Sequence, residues 1–260
     1  MIRETLPEDP RERKAIILLR DVDIVLSYNE EWIKSPNITV LEFPFDNDSP
    51  IYDNELYKSL EASNLIEQGA ILSQSPYDLN AYANAKEVEN LIHLNAKKKY
   101  NLFAGFCGIL GATRIYGRHF ESEQNTTNKE FGGKAGYKIA EASAQVNRDW
   151  ESKLSQELEL EANYEGDPNP NIEEAKKYLD DNHISNEEDF TSLLKERARK
   201  GSNKLKTKDI KFSMTSESMQ SLKILGGIKL AFFNADGKYA NKVHTLRDIK
   251  VSLSVEFGKG

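Results

Sequence analysis

The sequence predicts an α+β fold, a bent, mainly antiparallel sheet of long strands with flanking helical clusters. Two kinds of periodicity carry that prediction. Some segments alternate apolar and polar residues, as do Ile249, Val251, Leu253, Val255 and Phe257 against their neighbours, the pattern of a strand with one solvated face. Others repeat at helical spacing, as do Ala81, Ala85, Val88, Ile92 and Ala96. The two kinds arrive in blocks (strands, helices, long strands, helices, long strands), which favours segregated layers over a doubly wound parallel sheet.

Residues 1–13 read as a polar N-terminal arm, and 14–260 as a single α+β domain. Lys14–Tyr28 is rich in Ile, Leu and Val and alternates at Val22, Ile24 and Leu26, which predicts strands. Asn37–Phe45 predicts a short strand, with Pro44 at its edge or end. Leu56, Leu60 and Leu65 then take helical spacing, and two helices are expected before Tyr100 with a break at Ser75-Pro76. The stretch from Tyr100 to Gly117 is ambiguous, because four glycines oppose a robust helix while its length is unusual for a strand.

Beyond it, Ala140, Ala142, Ala144 and Val146 alternate with polar residues, and Leu158, Leu160, Ala162 and Tyr164 alternate with glutamates and Asn163. Strands are expected over Ala135–Asn147 and Leu154–Tyr164, the second ended by Gly166–Asn171. Helices follow at 171–182 and 186–199, the latter with Ser185 or Asn186 at its start, a basic last turn and Gly201 after it. Lys204–Met214, Ile224–Phe233 and the final segment from Asp248 complete the sheet.

The net charge of −7 opposes general nucleic-acid binding, which needs a basic face for phosphates. A single cysteine, Cys107, excludes an intramolecular disulfide and a cysteine-based zinc site, and the four histidines lack ligand spacing. No metal and no cofactor is therefore expected. The N-terminal residues carry no apolar signal region, and no apolar run reaches the roughly 18 residues of a spanning helix, so the chain reads as cytoplasmic or soluble as synthesised. Nucleophile-elbow, P-loop, zincin and dinucleotide fingerprints are absent from the sequence. Apolar neighbours Phe106, Ile109 and Leu110 make Cys107 an inert buried thiol, and Glu157, Glu159 and Glu161 read as a solvated face. The expectation is of a protein that is not an enzyme.

Charge is unevenly placed. Glu151–Asp189 holds thirteen acidic and three basic side chains, whereas Lys195–Lys211 holds eight basic and two acidic ones. Two solvated faces explain this pattern. Alternatively Arg197, Arg199, Lys200, Lys204, Lys206 and Lys208 form a contact for anionic lipid or for a neighbouring subunit.

Tyr116-Gly117-Arg118-His119-Phe120, followed by Gly132-Gly133, resembles the signature of the membrane-attack-complex/perforin (MACPF) domain. The matching positions are Tyr116, Gly117, His119, Phe120, Gly132 and Gly133. Arg118 departs from it, standing where the family has a small hydroxyl residue, and the eleven residues between Phe120 and Gly132 exceed the usual gap. The resemblance implies a bent four-stranded sheet holding two helical clusters, placed here at 53–100 and 171–200, that unfurl into membrane β-hairpins when subunits form a ring. It implies membrane lipids and further copies of the chain as partners, no nucleic acid, and membrane association after oligomerisation. Gly132-Gly133, and likewise Gly226-Gly227, are expected where long strands bend. A gasdermin-like pore former shares the long strands and helix pairs. A non-enzymatic intracellular α+β binding or scaffold protein is the reading from another class.

Overall fold

The structure, a computed structural model, describes residues 2–122, 149, 152–154, 156, 158, 161–199, 205–218 and 249–258. It contains helices together with one mixed and one antiparallel sheet, an α+β fold in which neither sheet closes on itself. Where a single domain is expected from residue 14, the chain divides into two compact units, Met1–Ile92 with Glu217–His244 and His93–Ser216 with Thr245–Gly260.

Among its described residues the first unit has five strands in the order β1-β3-β2-β4-β5: β1 Ile2–Arg3, β2 Ala15–Leu19, β3 Ile38–Glu42, β4 Ile71–Ser75 and β5 Asp78–Asn84. β1, β3 and β2 are parallel, whereas β4 and β5 run antiparallel. The unbroken apolar run of β2 suits a strand buried on both faces, and all five of its residues are buried. Ile16, Leu18, Leu41 and Leu72 pack with Tyr57 and Leu60 of helix α2 (Glu55–Ala62) on one face. Ile17, aligned with Val40 and Ile71, is buried on the other.

Three expectations fail in this unit. Residues 2–13 are no solvated arm: β1 joins the sheet, Leu6 enters the core, and Arg13 is buried. The strand predicted through Tyr28 stops at Leu19, and Asp21–Ser27 forms helix α1, with Asp21 and Asp23 in the first turn where the helix dipole favours acids. Its outward side is apolar as well, so the helical period is hidden in the sequence. The region from Asn54 to Lys99 holds two helices, α2 and the first turns of a helix from Val88, but a hairpin and not a break at Ser75-Pro76 separates them. α2 ends at Ala62, the hairpin β4–β5 follows, and Gln74 Nε2 donates to the Leu79 carbonyl (2.8 Å) and to the Tyr82 hydroxyl (3.1 Å) across that turn.

Among its described residues the second unit carries four antiparallel strands in the order β7-β6-β9-β8: β6 Ala112–Ser122, β7 Glu161–Asn163, β8 Thr207–Ser213 and β9 Ile249–Phe257. The predicted alternation of β9 holds, and Ile249, Val251, Leu253, Val255 and Phe257 are all buried. Helices α3 (Val88–Ile109), α4 (Ile172–Asp181) and α5 (Glu188–Arg197) supply the rest of the core. Phe103, Phe106, Phe190 and Phe212 form one aromatic cluster, with ring centroids 4.4 to 5.9 Å apart in the contacting pairs.

α3 resolves the ambiguity at its glycines: the helix runs through Gly105 and Gly108 to Ile109. The bare backbone receives two tyrosines. Tyr178 Oη donates to the Leu102 carbonyl (3.2 Å), and Tyr164 Oη to that of Ala104 (2.9 Å). α4 and α5 lie where the sequence places them, whereas the long strand expected over Leu154–Tyr164 does not form. Ser152–Leu154 and Gln156 are helical, Leu158 N–H donates to the Leu154 carbonyl, and among the described residues of this stretch only Glu161–Asn163 pairs as strand. The strands expected over Ala135–Asn147 and Ile224–Phe233, and the Gly132-Gly133 and Gly226-Gly227 bends, lie outside the described residues.

Candidate functional site

Two groups of residues are singled out by the sequence, and both fall in the second unit. The motif occupies the middle of β6. Tyr116 is aligned with Ser254 of β9 and Glu161 of β7, Gly117 with Leu253, His119 with Ser252 and Phe120 with Val251. The register slips between Gly117 and His119, so Arg118 is an extra residue, a β-bulge. Arg118 is also the position at which the resemblance departs from its pattern. The motif is therefore part of a sheet ladder, with Tyr116 and Phe120 half-buried.

Next to it, Arg114 spans from β6 to β7. Its Nη2 and Nε donate to Glu161 Oε1 at 2.7 and 3.1 Å, and its guanidinium stands 5.0 Å from the Tyr116 ring centroid. The pair with Glu161 raises the guanidinium above its ordinary pKa. Both partners are about half exposed, so solvent screens the pair and it adds little to stability.

The basic run does not form one surface. Arg197, in the last turn of α5, is 1% exposed. Its Nε donates to the Leu110 carbonyl (3.0 Å), Nη1 to that of Leu205 (3.1 Å) and Nη2 to that of Asp167 (2.8 Å). Its guanidinium also lies 4.6 Å from the Phe257 ring centroid. Burial draws it below the ordinary arginine pKa. A planar fork of donors suits three carbonyls from three segments, one of them just beyond the C-terminus of α3. A lipid or subunit contact by Arg197 is thereby excluded in this fold. Lys208 is half-buried and ion-paired with Glu196 of α5. Arg199 and Lys206 are exposed, and Lys200, Lys204, Gly132 and Gly133 lie outside the described residues.

Comparison with protein-family models, with curated proteins and with solved structures gives no match. The chemistry of the chain thus rests on its own residues.

Cys107 is fully buried, and burial pushes its thiol well above the ordinary value, away from nucleophilic use. Among the described residues no group of three or more His, Cys, Asp or Glu could hold a metal ion, and no helix is long and apolar enough to cross a membrane. Sequence reasoning missed the Lys99–Glu187 pair, 2.9 Å apart, with Lys99 1% exposed and 5.1 Å from the Phe212 ring centroid. The signal is faint: Lys99 belongs to a run of three lysines, and only the phase of α3 turns that one inward.

Proposed function

We propose that this protein acts on membranes as an oligomerising, β-hairpin pore former of MACPF-like type. The supporting observation is the connectivity of the second unit's sheet. β6 and β7 are antiparallel neighbours, as are β8 and β9. The first pair is joined by residues 123–160 and the second by residues 214–248. An ordinary hairpin needs two to five residues, whereas a membrane-crossing strand needs about 9–11. Each connection is thus long enough in sequence for two such strands and a turn, continuing a pair already in antiparallel register. Alternation at Ala140, Ala142, Ala144 and Val146 in the first connection suits one lipid-facing and one lumen-facing side. Open strand edges are not tolerated in a bilayer, so insertion requires many copies closing a barrel.

This reading moves the inserting segments. The resemblance places unfurling clusters at 53–100 and 171–200, but the first holds the β4–β5 hairpin, α4 and α5 bury Ala175, Leu179, Phe190 and Leu193, and Arg197 ties α5 to the end of α3. They belong to the scaffold. With Arg197 internal and Lys208 paired, attraction to anionic lipid falls to Arg199, Lys206 and the neighbouring Lys200 and Lys204.

The test is dye release from liposomes of neutral and of anionic lipid, with negative-stain imaging of the same samples. Release accompanied by rings is expected, stronger on anionic vesicles and weakened by salt. Intact vesicles and no rings at high protein concentration overturn the proposal and leave the non-enzymatic binding or scaffold reading in its place.

A further inference from the structure

Arg13 ends a short 3₁₀ turn, Pro10–Arg13, whose carbonyls fasten it to the first unit's sheet. Thr39 Oγ1 donates to the carbonyl of Glu12 (2.9 Å), Tyr82 Oη to that of Arg13 (2.9 Å) and Gln74 Nε2 to that of Pro10 (3.3 Å). The Arg13 side chain is 6% exposed. Its Nη2 donates to Asn80 Oδ1 at 3.1 Å, but Nε and Nη1 are buried without an acceptor. The acids near it in the chain and on the hairpin are engaged elsewhere. Asp9 meets Arg11 at 2.8 Å, Glu12 meets Arg3, and Asp78 accepts from the Asn80 N–H at 3.2 Å. Among the described residues no carboxylate pairs with Arg13. An arginine is almost never buried without acceptors for its donors. Arg197, with three carbonyls around it, obeys that rule, and Arg13 does not.

We propose that Arg13 and Asn80 bind a small oxyanion, phosphate or a carboxylate. Nη1 and Nη2 lie along one edge of the guanidinium, the arrangement from which an oxyanion accepts two parallel hydrogen bonds. One of the two is occupied by a neutral amide oxygen and the other by nothing. Asn80 is an exposed residue of β5, so its side chain turns without disturbing the core. Turned over, its amide presents Nδ2 where Oδ1 stood, a donor in place of an acceptor. The ion then meets three donors, Nη1, Nη2 and Asn80 Nδ2, and supplies the negative charge that the surroundings of Arg13 lack. The way in is short, since an exposed side chain alone separates Nη2 from solvent on that side. A bilayer is the wrong source of the anion, because Nε and Nη1 are buried and a head group held in a flat surface cannot follow them inward.

The site is independent of pore formation, and its test needs no vesicles. Thermal melts of the full chain are compared in sodium phosphate, sodium acetate and sodium chloride at matched ionic strength. Phosphate, acetate or both should raise Tm above its value in chloride, the more so as concentration rises. In about hundredfold excess over Kd the shift should be on the order of 5 °C. Arg13→Gln should abolish that response. Asn80→Asp gives Arg13 a carboxylate from within the chain. It should melt above the parent in chloride and show no response to either oxyanion, and it decides the matter if Arg13→Gln fails to fold. Parent melts in phosphate and acetate that match those in chloride overturn the proposal. So does a response that persists in Asn80→Asp or in a folded Arg13→Gln, since the general effect of the salt on stability would then account for it.

Discussion

Arg197 shows how a charge run read along the sequence can be divided by the fold. Its guanidinium holds the carbonyls of Leu110, Leu205 and Asp167 at a junction where Arg197 itself is fully buried. Arg197→Met fills the volume but leaves three carbonyls short of a donor. It should lower stability by on the order of 3 kcal/mol, read as a fall in the urea midpoint at unchanged m-value. Arg197→Lys, which retains charge but offers no planar fork, should fall between parent and Met variant. Gly111 meets the same junction from the other side. Its φ is +77°, and a Cβ there would stand 2.0 Å from the Asp167 carbonyl oxygen. Gly111→Ala therefore combines left-handed strain with a backbone clash, and a loss above about 2 kcal/mol in the same measurement is expected.

Phe190 does for α5 what Arg197 does for its end, anchoring it against Phe103, Phe106 and Phe212. Phe190→Ala should cost about 3–5 kcal/mol in chemical denaturation. Substitutions at exposed Glu173 or Lys176 on α4 should stay within about 0.5 kcal/mol. The contrast between legible and illegible elements follows from such packing. α4, α5, β8 and β9 are legible because one side of each meets water, so polar and apolar residues sort by period. α1 is not, since Val22, Ile24 and Leu26 alternate like a strand while the outer face of the helix is apolar too. The β4–β5 hairpin is concealed by leucines and alanines whose spacing imitates a helix. α3 is obscured by glycines that admit Tyr164 and Tyr178. At the candidate site, sequence places the motif on a strand-rich stretch, yet the turn of a short helix decides which arginine goes inside, and that phase depends on partners far along the chain.

Over the whole molecule, tyrosines in both units should report on alkaline unfolding. Burial pushes Tyr82, in the first unit, and Tyr100, in the second, up to about 12, against about 10 in an unfolded chain. Between those values the folded protein keeps protons that the unfolded one releases. The contribution of these two groups to stability is therefore full below about pH 10 and is lost as pH rises toward 12. A titration followed at the phenolate absorbance should show these two ionising only together with loss of the circular-dichroism signal. The position of β9 bears on how the molecule is made. β6 and β8 both pair with β9 and not with each other, and β9 is the latest of the four in the chain. On the ribosome, β6 and β8 thus emerge with bare hydrogen-bonding edges and wait for Ile249–Phe257 before the sheet exists. A nascent chain arrested before Ile249 would lack the middle of its sheet and not its margin, and it would be a natural client for chaperones that cover unpaired strands.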